Sequence, residues 1–247
     1  MLQQTQAARV VPAFERFLGS FPSIRALAAA PAGDVLRAWD GLGYNRRALA
    51  LSRAAREIAA HHGGRVPRDT AALRSLPGVG PYTADAVAAI AFGEPVVATD
   101  VNVLRVTARA MLGANPAEVR RLDVARAAAE WLDGPDPGAW NQALMDLGRE
   151  VCRPTPRCAI CPIAASCRFL RIGAPRDEVE RRPQPQFEGS MRQVRGAVVR
   201  ALRRRSPRSV RSLSRETGQP EDRVREAVRA MHREGLVVQG RTVRLPN

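Results

Sequence analysis

The sequence predicts an all-α protein that ends in a small α+β piece, and three observations predict it. Apolar residues recur at helical spacing through residues 1–172, no strand-like alternation of useful length interrupts them, and the pattern changes only after residue 190. Val10, Val11, Phe14, Phe17 and Leu18 mark a first amphipathic segment, and Leu49, Ala50, Ala54 and Ile58 mark another. Breakers separate the segments at Phe21-Pro22, Ala30-Pro31, Gly41-Leu42-Gly43, Gly63-Gly64 and Pro77-Gly78. A polar stretch with two prolines, residues 181–189, reads as a linker between a domain at 1–180 and another at 190–247. In the second, Met191–Arg205, Val210–Thr217 and Pro220–Glu234 read as helices, and Leu236–Gln239 with Thr242–Leu245 as a hairpin around Gly240-Arg241. Three helices and a terminal hairpin of this size resemble a winged helix. Val224, Val228 and Met231 are expected to pack inward, with Arg223, Arg225, Arg229 and Arg233 around the rest of the third helix.

At 247 residues, with 45% hydrophobic and 26% charged residues, the chain can bury a substantial core. No apolar run reaches the roughly 18–20 residues of a membrane span, and Met1–Gln6 has neither the basic start nor the apolar stretch of a signal peptide. A cytoplasmic monomer is therefore the default expectation. The net charge is +15, and all 39 basic residues are arginine, which reads most simply as the composition of a GC-rich genome. With no lysine in the chain, no side-chain amine is present for Schiff-base chemistry. The charge is lopsided. Residues 1–150 hold 17 Arg against 15 acidic residues, whereas residues 151–247 hold 22 against 9, the footprint of a polyanion binder or else a solvated arginine surface.

Four cysteines, Cys152, Cys158, Cys161 and Cys167, fall within 16 residues, with none elsewhere. Four thiols so close in a reducing compartment point to one metal centre rather than to disulfides. Zinc is one reading. Only Cys158 and Cys161 form the Cys-x-x-Cys knuckle that a zinc ribbon uses twice, and one compact loop supplying four thiolates favours a 4Fe-4S cluster.

Leu76-Pro77-Gly78-Val79-Gly80 lies between helical segments. Two glycines one residue apart permit a tight turn whose amides, at the start of the next helix, hold a phosphate oxygen; a purely steric corner is the plainer use. Twenty residues after Gly80 comes Asp100, either a helix N-cap or a carboxylate set beside a developing positive charge.

Together, the Leu-Pro-Gly-Val-Gly turn, Asp100 and the four-cysteine loop after Met145-Asp146-Leu147-Gly148 resemble the helix-hairpin-helix DNA glycosylases that carry an iron–sulfur cluster. Met1-Leu2-Gln3-Gln4-Thr5-Gln6, Gly41-Leu42-Gly43-Tyr44 and Asn141-Gln142-Ala143-Leu144 narrow the resemblance to adenine DNA glycosylases of the A/G-mismatch type, over residues 1 to about 172. The resemblance implies a helix-hairpin-helix glycosylase fold with a cluster loop at 152–167, acting on double-stranded DNA that holds a mismatch or 8-oxoguanine. Such enzymes flip the adenine out of the stack; a glutamate protonates it and an aspartate stabilises the oxocarbenium-like sugar. Asp100 matches the aspartate. Tyr82 matches a position where strand-nicking relatives carry lysine, so a monofunctional enzyme is expected. Gln3, Gln4 and Tyr44 match residues that contact the duplex around the orphaned base, and Gly78, Val79 and Gly80 match the phosphate-binding turn.

The sequence also departs from that pattern. The family's glutamate lies two residues before the Met-Leu-Gln-Gln-Thr run, where this sequence begins, and Glu15 belongs to a helix surface. An upstream start is the expected explanation, and loss of a general acid costs about 10²–10⁴-fold. The cysteine spacing opens with five intervening residues where six are usual, and residues 190–247 are too short for the Nudix-like domain that many relatives carry. Two other functions compete, a thymine or uracil mismatch glycosylase and a non-catalytic mismatch binder. Arg153, Arg157, Arg168 and Arg171 around the cysteines are expected near phosphates, with binding that weakens as salt rises.

Overall fold

The computed structural model describes residues 1–3, 5–173 and 186–247, so Gln4 and residues 181–185 of the expected linker lie outside the described residues. The described chain is helical up to its final hairpin, in agreement with the all-α expectation: α1 Ala7–Ser20, α2 Ile24–Ala29, α3 Ala32–Ala38, α4 Arg46–His61, α5 Thr70–Ser75, α6 Pro81–Phe92, α7 Val101–Thr107, α8 Arg121–Trp131, α9 Pro137–Glu150, α10 Arg168–Arg171, α11 Met191–Arg204, α12 Val210–Thr217 and α13 Glu221–Arg233. A π-helical turn, Ala108–Leu112, continues α7. Strands β1 Val238–Gln239 and β2 Val243–Arg244 pair antiparallel with Val238 opposite Arg244.

Contacts group these elements otherwise than chain order does. One unit holds Met1–Val66, Leu76–Gly78 and the described residues of 183–247; the other holds Pro67–Ser75 and the described residues of 79–182. In the first unit, α1 to α4 and the C-terminal helices share one apolar core. Phe17, Leu36 and Trp39 from the N-terminal part join Val198, Leu202, Leu213, Met231 and Leu245 from the C-terminal part. Trp39 meets Phe17 edge-on at 6.0 Å between ring centroids. The chain end docks on α3, where the Gly33 amide donates to the Pro246 carbonyl at 2.7 Å. A Cβ at Gly33 would lie 2.6 Å from that oxygen, so the position admits only glycine without a shift. Arg203 of α11 pairs with Asp40 and donates to Asn45 Oδ1 at 2.7 Å.

The C-terminal elements match their expected bounds within a residue or two, and Val224, Val228 and Met231 are fully buried. The first amphipathic segment differs from expectation. Val10 and Phe17 are buried in α1, but Val11, Phe14 and Leu18 remain 57%, 49% and 46% exposed. The five apolar positions span one face of about 120°, and the neighbours of α1 cover only its Phe17–Val10 edge, together with Ala13.

In the second unit, α9 is central and packs against both α6 and α7. Val103, Val106 and Leu144 form its core with Trp131 and Trp140, which meet edge-on at 5.9 Å. Among the described residues, no helix is long and apolar enough to cross a membrane.

Candidate functional site

The turn from α5 to α6 is set by its glycines. Gly78 takes φ +79°, and a Cβ there would stand 2.6 Å from the Ala50 Cβ, so the turn needs glycine for both conformation and space. Gly80 is the N-cap of α6 with no side-chain cap, and Pro81 occupies the first helical position. A Cβ at Gly80 would meet nothing within 4 Å. Gly80 therefore presents its backbone to the outside, at a helix start where unpaired amides carry partial positive charge.

Asp100 is the N-cap of α7. Its Oδ1 accepts from the amides of Asn102 at 2.8 Å and Val103 at 2.7 Å, and its Oδ2 accepts from Asn102 Nδ2 at 2.9 Å. The plain use and the chemical use thus coincide: three N–H donors fix the carboxylate, and one of the roughly four lone-pair directions of a carboxylate stays open. The Asn102 amide is itself oriented. Its Oδ1 accepts from Arg105 at 2.8 Å, and Arg105 also donates to the carbonyls of Gly148 at 2.8 Å and Cys152 at 2.7 Å. A continuous path of hydrogen bonds joins Asp100 to the start of the cysteine loop.

Helix α9 closes on this path through two features. Gly148 lies so near α7 that a Cβ there would be 2.6 Å from the Asn102 Cβ. Asn141, fully buried, accepts from the Ala98 amide at 2.8 Å and donates to the carbonyls of Val96 at 2.9 Å and Pro137 at 2.8 Å. It ties the extended residues before Asp100 to α9. Tyr82 on α6 donates its hydroxyl to Met145 Sδ of α9 at 3.6 Å. Burial raises the Tyr82 phenol above its ordinary pKa, and the Asp100 carboxylate nearby raises it further. The phenol is thus a neutral hydrogen-bond donor at physiological pH.

The four cysteines are half-buried, free thiols. All four line one cavity with Val106, Arg109, Ile163 and Phe169. Among the described residues, no three His, Cys, Asp or Glu side chains converge on a point that would hold a single metal ion. The π-helical turn carries Arg109 into this region, 2% exposed. Its guanidinium donates to the carbonyls of Arg153 at 2.7 Å and Pro154 at 3.0 Å and to Asn115 Oδ1 at 3.1 Å. It stacks on Phe169 at 5.2 Å and reaches Cys152 Sγ at 3.9 Å. Burial raises the Cys152 thiol, while Arg109 and Arg105 pull it down. A buried cation beside clustered thiols is the environment that a group held as thiolates requires.

Gln3 and Tyr44 come together in the first unit, around Arg47. The Arg47 guanidinium donates to the carbonyls of Met1 at 3.0 Å, Gln3, and Leu42 at 3.1 Å, and to Thr5 Oγ1 at 2.8 Å. It lies over the rings of Tyr44 at 5.4 Å and Trp39 at 5.5 Å. The loop leading in uses positive φ at Gly41, Gly43 and also Tyr44, at +43°, a left-handed conformation that costs a residue with a Cβ about 1–2 kcal/mol. Tyr44 is held in that conformation while 57% exposed, and it presents its ring outward.

The structure therefore brings Tyr82, Asp100 and the cysteine loop together in the second unit, and Gln3 with Tyr44 in the first. Residue-by-residue reading missed Arg47, Asn102, Arg105, Arg109 and the role of Asn141. The one sequence signal was the pair Arg105 and Arg109, four residues apart inside an otherwise apolar helical run.

Residues 1–131 match the HhH-GPD superfamily of base excision DNA repair proteins. The chain belongs to this superfamily. An adenine DNA glycosylase of Mycolicibacterium smegmatis is 45% identical over 208 residues, spanning 82% of this chain and 69% of the relative. Among solved structures, a thermostable thymine-DNA glycosylase superposes with a TM-score of 0.64 at 28% identity, covering 69% of this chain and 80% of that one. An endonuclease III in a non-covalent complex with DNA superposes with a TM-score of 0.58 at 25% identity, covering 69% and 79%. The HhH-GPD chain described here is a DNA glycosylase of base excision repair, with the helix-hairpin-helix fold that the resemblance implied.

Proposed function

We propose that this glycosylase hydrolyses the N-glycosidic bond of adenine mispaired with guanine or 8-oxoguanine, and that it is monofunctional. The observation that carries the reading is the Asp100 carboxylate, fixed by three N–H donors beside a neutral Tyr82 in a chain without lysine. In the reaction the C1′–N9 bond breaks, the electron pair leaves with a protonated adenine, and water adds at C1′. Positive charge develops on the sugar as the base departs, and a fixed carboxylate offsets it without reorganising. Tyr82 orders the same space as a neutral donor. With no ε-amine at hand, the sugar is released to water rather than captured as a Schiff base.

Gly78, Val79 and Gly80 grip a phosphate through backbone amides at the start of α6. Gln3 and Tyr44 contact the partner base of the extruded adenine, and Gln4 follows from the family resemblance alone. The four cysteines hold a 4Fe-4S cluster: all four are free, half-buried and line one cavity beside Arg109. Bound there, the cluster supplies cross-linking of the loop at 152–167. Arg109 and Arg105 hold the backbone of that loop whether or not electrons move.

A thymine mismatch glycosylase is the second reading, favoured by the superposition on the thymine enzyme. Higher identity to the adenine enzyme weighs against it. Single-turnover release of free base from A:8-oxoguanine, A:G, T:G and U:G duplexes decides between them. The assay uses the 247-residue chain and a form carrying the upstream glutamate that the resemblance calls for. Adenine release that falls about 10²–10³-fold in Asp100→Asn supports the proposal. Thymine or uracil release, or no base release from either form, refutes it. Strand nicking at the abasic product without added alkali would refute monofunctionality.

A further inference from the structure

Base excision leaves the arginine-rich C-terminal part of the chain without a task. Several of its arginines are neutralised where they stand: Arg195 by Glu234, Arg203 by Asp40 and Arg225 by Glu221. The start of α12 is different. A cleft of about 380 Å³ opens there, lined by Arg208, Ser209, Arg211, Ser212, Arg215 and Glu216, so three guanidinium groups and two hydroxyls face a single carboxylate.

Arg208 is held from several sides. Its amide and carbonyl both bond to Val243 of β2, at 2.9 and 2.7 Å. Its guanidinium donates to Ser212 Oγ at 3.1 Å and pairs with Glu216 at 2.8 Å, while its Nε is buried with no hydrogen-bond partner among the described residues. Glu216 is thereby committed to Arg208. Arg211 and Arg215 stand one helical turn apart on α12, both exposed, and no carboxylate of the described residues pairs with either.

We propose that this cleft is a second DNA-contact site, which grips a backbone phosphodiester of the duplex through Arg211 and Arg215, with Arg208 as its fixed wall. Guanidinium forks match the geometry of phosphate oxygens, and the Ser209 and Ser212 hydroxyls add polar partners at the rim. A polymeric phosphate fits better than a free one because the cleft belongs to a strongly basic stretch, with Arg204 and Arg205 exposed just ahead of it. Releasing condensed counterions rewards contact with a polyanion and gives nothing for an isolated phosphate. The surrounding architecture agrees. Helices α12 and α13 pack on each other beside a terminal hairpin, and modules of this shape lay their earlier helix across the DNA backbone. The inference rests on the reading that the chain works on DNA, but it does not depend on which base is excised.

The test measures binding of the full chain to an undamaged duplex by fluorescence anisotropy between 50 and 200 mM salt. Wild type is compared with R211Q/R215Q and with R16Q/R126Q, which removes equal charge from exposed positions in α1 and α8. Two lost phosphate contacts should make the slope of log K against log salt shallower by about two and weaken low-salt binding roughly tenfold or more. The R16Q/R126Q protein should keep the wild-type slope. Unchanged slopes in R211Q/R215Q, or an equal loss in the control, would overturn the proposal. Inorganic phosphate competing no better than chloride at equal ionic strength supports a polymeric ligand. Arg211-dependent binding of inorganic phosphate with duplex binding unaffected would overturn it. Single-turnover excision at saturating enzyme, compared between wild type and R16Q/R126Q, reports separately on the glycosylase reading, so that its failure and the failure of the second site are distinguishable.

Discussion

Replacing Arg47 with methionine tests how the Gln3–Tyr44 region is built. The substitution keeps most of the aliphatic stem and deletes a guanidinium that makes four hydrogen bonds and lies over two aromatic rings. Three of the acceptors belong to residues that are partly or fully exposed, Met1, Gln3 and Thr5, so water replaces much of what they lose. Among the described residues, the carbonyl of buried Leu42 then keeps the Thr5 hydroxyl alone, at 3.3 Å. With a net of about 0.5–1.5 kcal/mol for the least replaceable bond and about 0.5–1 kcal/mol for each of the two cation–π contacts, the loss comes to about 1.5–3.5 kcal/mol. That is well inside the 5–15 kcal/mol typical of a folded domain, so Arg47→Met should still fold. The larger consequence falls on Tyr44, whose left-handed backbone loses the group above its ring and relaxes. Urea unfolding should show a lower midpoint at unchanged slope, and discrimination of an A:8-oxoguanine duplex from a fully paired one should fall about tenfold. Arg47→Lys retains the charge without the fork and should recover little of either. The reasoning fails if Arg47→Lys matches wild type, because charge alone would then suffice, or if Arg47→Met unfolds at the wild-type midpoint.

Three further outcomes follow from the same geometry. Gly148→Ala places a methyl 2.6 Å from the Asn102 Cβ, so Asn102 must shift; base release should slow at least tenfold with a stability loss of about 1–3 kcal/mol, and equal rates would show that α9 simply moves away. Asn141→Leu strands the buried Ala98 amide and removes the donor to the Val96 carbonyl, which should cost about 1–3 kcal/mol in chemical denaturation. Glu234, whose carboxyl is held below its ordinary value by the hydrogen bond from Arg195, should make stability pH-dependent. Its contribution is present above about pH 4.3, the unfolded value, and is lost as pH falls through the lower folded pKa. Unfolding midpoints of wild type and Glu234→Gln should therefore converge on acidification from pH 6 to 3, and a constant gap would remove Glu234 as the cause.

What the sequence determined by itself is local. A turn through Gly78 needs glycine because φ is +79°, and the following Gly80-Pro81 marks a helix start within a few residues. Asp100 caps the helix it begins, and four thiols within 16 residues share one loop whatever the rest of the chain does. The buried positions of α13 follow from spacing alone, since a helix repeats every 3.6 residues. Tertiary structure decided the parts that depend on partners far along the chain. Arg105 and Arg109 meet carbonyls more than forty residues away, Arg47 reaches back to Gln3, and Asn141 reaches back to Ala98. An arginine in a helix reads as surface until a distant carbonyl accepts its N–H, and a glycine in α9 reads as a weak helix former until α7 lies against it. The apolar stripe of α1 shows the same limit: periodicity states which residues share a face, and only the packed neighbours decide which of Val10, Phe14, Phe17 and Leu18 are covered. Local conformation is set by a residue's own backbone and near neighbours, whereas burial and pairing are set by groups that the folded chain alone brings within reach.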